Sequence, residues 1–524
     1  MPVGVVVSTS TIPTAGSNAP VTGSAYFLTG LTQRGNPNSP VHLLSLLQAQ
    51  TLLGERVTYG FAWDDMQTFF GEGGTDLWFQ RVVGPNATAG SITLNDQTTP
   101  TSIPTLQLFA GAPTIDPMSG VSLGNAKDPG DWSTGISVQV VASAIAGQWK
   151  LLVFYQGLQV ETFGPYGDVA TAVAAINSTS GYLYAVNLFS AGASPNPAVM
   201  SSSSALTAGN DDRTDITANS YTAALANFPP GLGPGAVSIP GMDASLVGTA
   251  LQAHGTANSR LPILFGTQGM SQAAVQAAAA PFRGQGGGQE NGGYFWPWVT
   301  IPDGAGGQRV ISPAGYIAGL RSRTVAQIGP WQAPAGNWGA AQFISGLDPA
   351  SGIVTDAIGD ALNDESVNVI RPKAGIRLFG WRSLSTDQTN WKLLNQADTM
   401  NVVGFQIQQA LQVYDFAIID GLGQLAAAAD NTVLSVLEPL ITANALYPGP
   451  ATASPTSTNG SGANTGTTTT AASDPGYLID TSSAVNTPAL LAQDEFAVAT
   501  YLRLSPTAEL ILAGLYKVGL NSQI

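Results

Sequence analysis

The stretch "FFGEGGTDLWFQRVVG", residues 69–84, holds a helix end, a turn and a strand in immediate succession. Gly73 and Gly74 close a helix predicted over "FAWDDMQTFFGEGG", and "DLWFQRVV" follows as an apolar strand. Upstream the same alternation holds. "AYFLTGLT" (25–32) reads as a buried strand and "PVHLLSLLQAQTLLG" (40–54) as a helix. Strands that alternate with helices imply a parallel sheet covered on both faces.

That rhythm stops near Gly84. From about residue 90 to 190 the chain becomes short strands bounded by turn residues: "SITLND", "TLQLFA", "GISVQVVA", "QWKLLVFYQGLQVETFG" and "YLYAVNLF". After Ser/Ala-rich material at 191–210 the rhythm returns, with helices in "DITANSYTAALANF" and "DASLVGTALQAHGTA" and strands in "AVSIPG" and "RLPILFGT". A β-domain inserted between two halves of one α/β domain explains the return. The predicted architecture is a multidomain α/β and α+β chain. A discontinuous α/β core (21–89 and 191–365) carries an all-β insertion (90–190), and an α+β carboxy-terminal domain (366–504) follows. In the last, "GIRLFGWRSL" and "FAVATYLRL" read as strands, and "NVVGFQIQQALQVYDF" (401–416) and 424–443 as helices. Residues 447–476, rich in Thr, Ser and Gly, carry no charge before Asp474 and read as a flexible loop.

The two ends stand apart. Residues 3–10 form a β-branched strand with no tight turn to bring a partner back, and the polar 8–20 stretch reads as a linker, so 1–20 is an extended arm. An unpaired apolar strand invites pairing with another chain. At the other end, 505–524 contains a second apolar strand, "ELILAGLYKV".

Composition narrows the function. The chain has 524 residues, beyond the roughly 250–300 at which single cores stop growing. Charged residues make up 10%, well below the about 25% usual for soluble domains. A net charge of −15 argues against a nucleic-acid surface. No Lys or Arg precedes Arg34, so a signal peptide is not expected, and no apolar run is long enough to insert in a membrane. Without cysteine there are no disulfides and no thiol nucleophile or zinc thiolate. These features predict a soluble protein made in a cytoplasm.

Catalytic stock is thin. The two histidines, His42 and His254, have no ligand spacing, and no G-x-S-x-G elbow occurs. The strongest decoy is "VYDFAIIDGLGQLA" (413–426), where an apolar run at 416–419 meets Gly421, Gly423 and Ala426 in a dinucleotide-like pattern. Asp420 would set a carboxylate beside the phosphates, and no β-α-β unit follows, so the piece reads as a turn entering a helix. No enzyme, cofactor or metal site is predicted. Trp132, Trp298, Trp331 and Trp381 read as packing residues, and Arg377 and Arg382 as ion-pairing ones.

Several segments together resemble the contractile tail sheath family of bacteriophages and related injection machines. They are "FLTGLTQRGNPNSPVHL", "FFGEGGTDLWFQRVV", "DPGDWSTGISVQV", "YFWPWVTIPD", "ISPAGYIAGLRSRT", "GPWQAPAGN", "LNDESVNVIRPKAGIRLFGWRSLS" and "VATYLRLSPTAELILAGL". Ser133, Thr134 and Ser505 depart from the family pattern, and the 447–476 loop is this chain's own. The resemblance implies a non-enzymatic structural subunit that polymerises with itself as stacked hexameric rings around an inner tail tube. Contraction then drives the tube through a host envelope. It implies baseplate and tail terminator partners and a place in a virion tail assembled in the bacterial cytoplasm. It also implies exchanged terminal strands, carried here by Val3, Val5, Val6 and Val7 and by Leu510, Ile511, Leu512 and Leu515. A helix facing the tube would be 424–443, with Asp430 and Glu438 as its charges. Rival classes are a surface-layer or adhesion protein, suggested by Thr/Ser richness, and, more remotely, a nucleotide-dependent enzyme using Gly421 and Gly423.

Overall fold

The computed structural model of the chain describes residues 23–96, 102–189, 196–285, 287–303, 306–449 and 474–509. Strand β1 (Ala25–Gly30) is buried along its whole length. Its side chains split between two cores: Tyr26 and Leu28 face one, Ala25 and Phe27 the other. Such a continuous apolar run needs cover on both faces. After β2 (Val41–Leu43), helix α1 (Leu46–Leu53) starts on Ser45, whose hydroxyl accepts from the Gln48 N–H. Helix α2 (Ala62–Gly71) runs back to β3 (Leu77–Arg81), which lies parallel to β1. The turn between them does more than stop a helix. Buried Glu72 accepts from the N–H groups of Gln342, Phe343 and Ile344 at 2.8, 2.9 and 3.1 Å.

The chain then leaves the sheet. Strands β4 (Ser91–Asn95), β5 (Pro104–Ile115), β6 (Ser122–Lys127), β7 (Ile136–Ala142), β8 (Trp149–Tyr155) and β9 (Leu158–Tyr166) precede helix α3 (Val169–Thr179). Strands β10 (Leu183–Asn187) and β11 (Ser204–Ala205) follow. They form two four-stranded sheets around one core, which includes Leu106, Val138, Leu151 and Leu183. The segment is therefore not all-β. Asp168 caps α3 by accepting from Thr171 N–H at 2.8 Å, and Val169, Ala172 and Ile176 line the helix face that enters the core. Nor does the segment close at 190, since β11 and Leu206 still belong to it.

The return brings α4 (Ala218–Ala224), β12 (Gly235–Ser238), α5 (Ala244–Asn258), β13 (Leu261–Leu264), α6 (Gln272–Ala279) and β14 (Gly293–Trp296). A small sheet of β15 (Val299–Pro302), β16 (Gln308–Ile311) and β17 (Gly346–Leu347) flanks α7 (Ala314–Gln327). Then come α8 (Asp356–Asp364), β18 (Val367–Pro372) and β19 (Ile376–Phe379). The eight-stranded sheet has the order β19-β18-β14-β13-β12-β1-β3-β2, parallel except at its two edge pairs. One face packs on α2 and α7, the other on α5, α6 and α8. Between sheet and α2, the Tyr26 hydroxyl donates to Asp65 at 2.5 Å and lies 2.5 Å from the Ser238 hydroxyl, while Gly315 N–H donates to Asp65 at 2.7 Å.

The last third holds α9 (Leu394–Leu411), α10 (Gln424–Thr442), β20 (Tyr477–Asp480), α11 (Pro488–Leu491) and β21 (Ala499–Leu502). Helix α9 begins seven residues before the start read from sequence. Its first turns bury Leu394, Ala397 and Asp398 against the sheet body, where tertiary contact outweighs the polar look of "NQAD". Farther along, Val403 joins Val433, Leu437 and Leu440 of α10 in a separate small core. The strand expected over 375–384 stops at Phe379, because Gly380 turns at φ +125°.

Burial pushes Asp65 up to about 7, against the hydrogen bonds from Tyr26 and Gly315 that favour its charged form. Its unfolded value is about 4. Between those values the folded chain binds a proton that the unfolded chain does not, so this group's contribution is full below about pH 4 and is lost as pH rises to about 7. Asp65→Asn is expected to remove that slope, which urea unfolding measured from pH 5 to 8 reads directly.

Candidate functional site

A doubly wound sheet binds ligands outside the carboxyl ends of its strands, where the strand order reverses. Here that point lies at β1, whose neighbours are β3 and β12. The chain's own residues fill it. A Cβ on Gly30 would lie 2.5 Å from Ala62, and one on Gly241 2.2 Å from the Phe61 ring. Behind them Asp64 pairs with Arg56 at 2.7 Å and Arg309 at 3.0 Å. The Gly421–Gly423 turn is filled as well. Residues 416–419 form no strand, and the Asp420 carboxylate accepts from the N–H groups of Leu422, Gln424 and Leu425 at 2.8–2.9 Å. These are the donors a phosphate would need at the start of α10. His42 stacks on Trp78 and pairs with Asp76. His254 lies against Arg260, and burial followed by that charge lowers it to about 4. Among the described residues, no group of three His, Asp or Glu is placed to hold a metal ion, and no helix is long and apolar enough to cross a membrane.

The carboxy-terminal part of the surface holds the remaining candidates. Val3, Val5, Val6, Val7, Leu510, Ile511, Leu512 and Leu515 lie outside the described residues, as do 450–473 of the Thr-rich loop. The root of the carboxy-terminal segment is described. Strand β21 pairs antiparallel with β20, and the chain then runs along the ends of α10 and α9. Tyr447 N–H donates to Arg503 O at 2.8 Å, Ser505 N–H to Ala445 O at 2.7 Å, and Asn395 Nδ2 to Thr507 Oγ1 at 3.2 Å. Beyond them Glu509 enters a cleft of about 730 Å³ lined by Arg371, Lys373, Phe379, Trp381, Arg382 and Lys392. Sequence reading marked Arg382 as ion-paired, and it is, to Asp364 and Glu509. Arg377 instead hydrogen-bonds Asn337 and the Ala374 carbonyl.

The two charges read as tube-facing differ in exposure. Asp430 is half-buried and accepts from Thr481 Oγ1 at 3.1 Å, whereas Glu438 is exposed. The more exposed feature is the tip joining α9 to α10. Val413, Phe416, Ile418 and Leu422 there are 74%, 107%, 85% and 86% exposed, an apolar patch around the turn read from sequence as leading into a helix. Between Lys392 and Arg503 the sequence has no Lys or Arg at all, so the surface around this tip is acidic.

Buried arginines fix the joints between layers. At the insertion, Arg81 bonds Asp128 at 2.5 Å and Asp211 at 2.6 Å, and Arg34 sits 4.9–5.5 Å from the ring centres of Trp132, Tyr155 and Tyr182. Trp132, Trp298 and Trp381 are buried and Trp331 packs beside the small core, all in packing roles. At the carboxy-terminal layer, Arg321 of α7 meets Asp398 of α9 through two parallel bonds of 2.9 and 2.6 Å. Both side chains are almost wholly buried.

Layered α/β and α+β bodies tied by buried arginines are the class this geometry defines. No family model matches the chain, and no curated protein sequence does. Solved structures do. A sheath tail protein from Listeria innocua is 11% identical over 81% of this chain and 85% of that one, with a TM-score of 0.54. The anti-feeding prophage baseplate in its contracted state contains a chain 15% identical over 100% of both, TM-score 0.54. The contracted helical sheath of the same particle matches at 15% identity over 98% of both chains, TM-score 0.51. The chain has the fold of the contractile tail sheath proteins.

Removing one partner of a buried pair leaves an uncompensated charge, at a cost of about 3–5 kcal/mol. Arg321→Ala should therefore destabilise the protein by about that much in urea unfolding followed by tryptophan fluorescence. The double variant Arg321→Met, Asp398→Leu should recover most of the loss.

Proposed function

We propose that this chain is the structural subunit of a contractile tail sheath. The observation that carries the reading is a likeness in fold that covers 98% of both chains with a contracted sheath subunit, at a TM-score of 0.51. The filled crevice at the strand ends supports a non-enzymatic role. In this reading subunits stack as hexameric rings around an inner tail tube, between a baseplate and a tail terminator, in a particle assembled inside the bacterial cell. Rigid layers rearrange against one another on contraction. Each subunit donates its terminal segments to neighbours: Val3, Val5, Val6 and Val7 at one end, Leu510, Ile511, Leu512 and Leu515 at the other. The short β20–β21 ribbon, with Leu478 and Tyr501 exposed, is the sheet they extend by backbone pairing. The discontinuous α/β core, insertion and carboxy-terminal domain then act as three bodies of one subunit.

The tube-facing surface in this reading is the acidic α9–α10 end, with Glu438 and the apolar tip in contact and Asp430 supporting the helix from behind.

Electron microscopy of the purified full chain is expected to show hollow striated tubes. Deleting residues 1–10 should leave a folded monomer without tubes; tubes of normal length from that truncation would refute strand exchange. Phe416→Asp should still give sheath polymer but lower the share of sheath enclosing a tube by about tenfold when the tube protein is co-expressed.

A further inference from the structure

Two kinds of tie hold the carboxy-terminal layer to the sheet body. Arg321–Asp398 is buried and closed to solvent. The second lies at the edge, where Glu509 presents both oxygens to Arg382, Oε1 at 2.9 Å from Nε and Oε2 at 3.3 Å from Nη2. Lys392 Nζ bonds Oε2 from the other side. A planar fork meeting two oxygens is the bidentate geometry by which Arg holds a carboxylate.

The fork is also held by groups other than its ligand. Arg382 N–H donates to Asn368 Oδ1 at 2.6 Å, its carbonyl accepts from Asn368 Nδ2 at 2.9 Å, and Nη1 donates to the Asn363 carbonyl at 3.0 Å. Of the other acids of the cleft, Asp356 and Asp360 pair with Arg371 and Asp356 also with Lys373, while Asp364 shares Arg382 through its Nη1. Lys392 is paired with Glu509 alone among the described ion pairs. Arg382 is 17% exposed, Glu509 29% and Lys392 38%, so water and salt reach the contact. Burial by itself would raise the Glu509 carboxyl, but the bonds from Arg382 and Lys392 outweigh it and hold the group below the usual range.

We propose that Arg382 and Lys392 form a carboxylate-binding site whose ligand is Glu509, and that this site sets where residues 510–524 leave the subunit toward a second copy of the chain. Its purpose rests on the sheath reading; the site itself does not. Glu509 immediately precedes the apolar stretch "LILAGL" in the sequence, so the point at which it is held fixes the reach of everything beyond. Because the contact is half-open, it releases and re-forms without unfolding either layer, which the Arg321 pair cannot do.

The chain has no cysteine, so a nitroxide placed on Ala508→Cys, an exposed position, reports on this segment alone. In the purified full chain at low salt the label is expected to be immobilised. Glu509→Gln should raise the mobile-to-immobile ratio about tenfold, as loss of one charge-assisted contact implies. Lys392→Gln should give a smaller rise, and 1 M NaCl should bring the unsubstituted chain toward the Glu509→Gln spectrum. Circular dichroism checks that each variant remains folded. Equal mobility with and without Glu509→Gln overturns the site. Tube formation is scored separately: Glu509→Gln should need about tenfold more protein to form tubes. If it assembles at the same concentration as the unsubstituted chain, the site has no role in assembly. If the label responds while the unsubstituted chain forms no tubes, the carboxylate site stands and the sheath reading falls.

Discussion

Arg321 lies against Asp398 where the sheet body meets the carboxy-terminal layer, and the layer's position depends on that contact. Two charges taken out of water are stabilising only if each finds its partner in good geometry. The parallel bonds of 2.9 and 2.6 Å provide that, and they specify one orientation of α9 across α7 where apolar packing alone would tolerate several. Arg81 repeats the solution at the insertion, bridging Asp128 and Asp211 under the exit and return of the chain. A protein with only 18 basic residues places several of them inside its joints rather than on its surface.

That placement explains the sparse charge of the whole. Surface ion pairs contribute little to stability, so a chain can dispense with most of them. What a low-charge surface gains is freedom for neighbours to pack on it without desolvating many ions. The acidic stretch from 393 to 502 fits the same logic with a preference of sign. Like-charged copies of that layer repel, and a partner with basic groups is favoured.

The α/β rhythm was legible because period and burial agree: Tyr26, Leu28 and their neighbours are apolar, and every residue of β1 is buried. The change of period near Gly84 was legible as well, and strands β4 to β9 follow it. Helix α3 was not, because its core contacts are Val169, Ala172 and Ile176 in an alanine-rich run between two strands. The early start of α9 was hidden for the opposite reason, since buried Asn395 and Asp398 read as a loop until Trp331 and Arg321 supply their partners. The apolar run at 416–419 belongs to the turn read from sequence, and it shows that hydrophobicity marks burial only when an element exists to bury against: Phe416 and Ile418 are exposed. The joints could not be read at all. Each pairs residues far apart in sequence, such as Arg81 with Asp211, and no local signal marks either member.

Burial sorts these ties by what they can do. Arg81 and Arg321 are each 1% exposed and hold their bodies in one arrangement through any motion short of unfolding. The contacts along 503–509 are few, edge-placed and partly solvated, so they exchange at modest cost. The proposed sheath role, in which rigid bodies rearrange, calls for this division: closed joints inside each body, open ones where a segment passes between them. The same chain carries both, and the difference is set by how far each guanidinium lies from water.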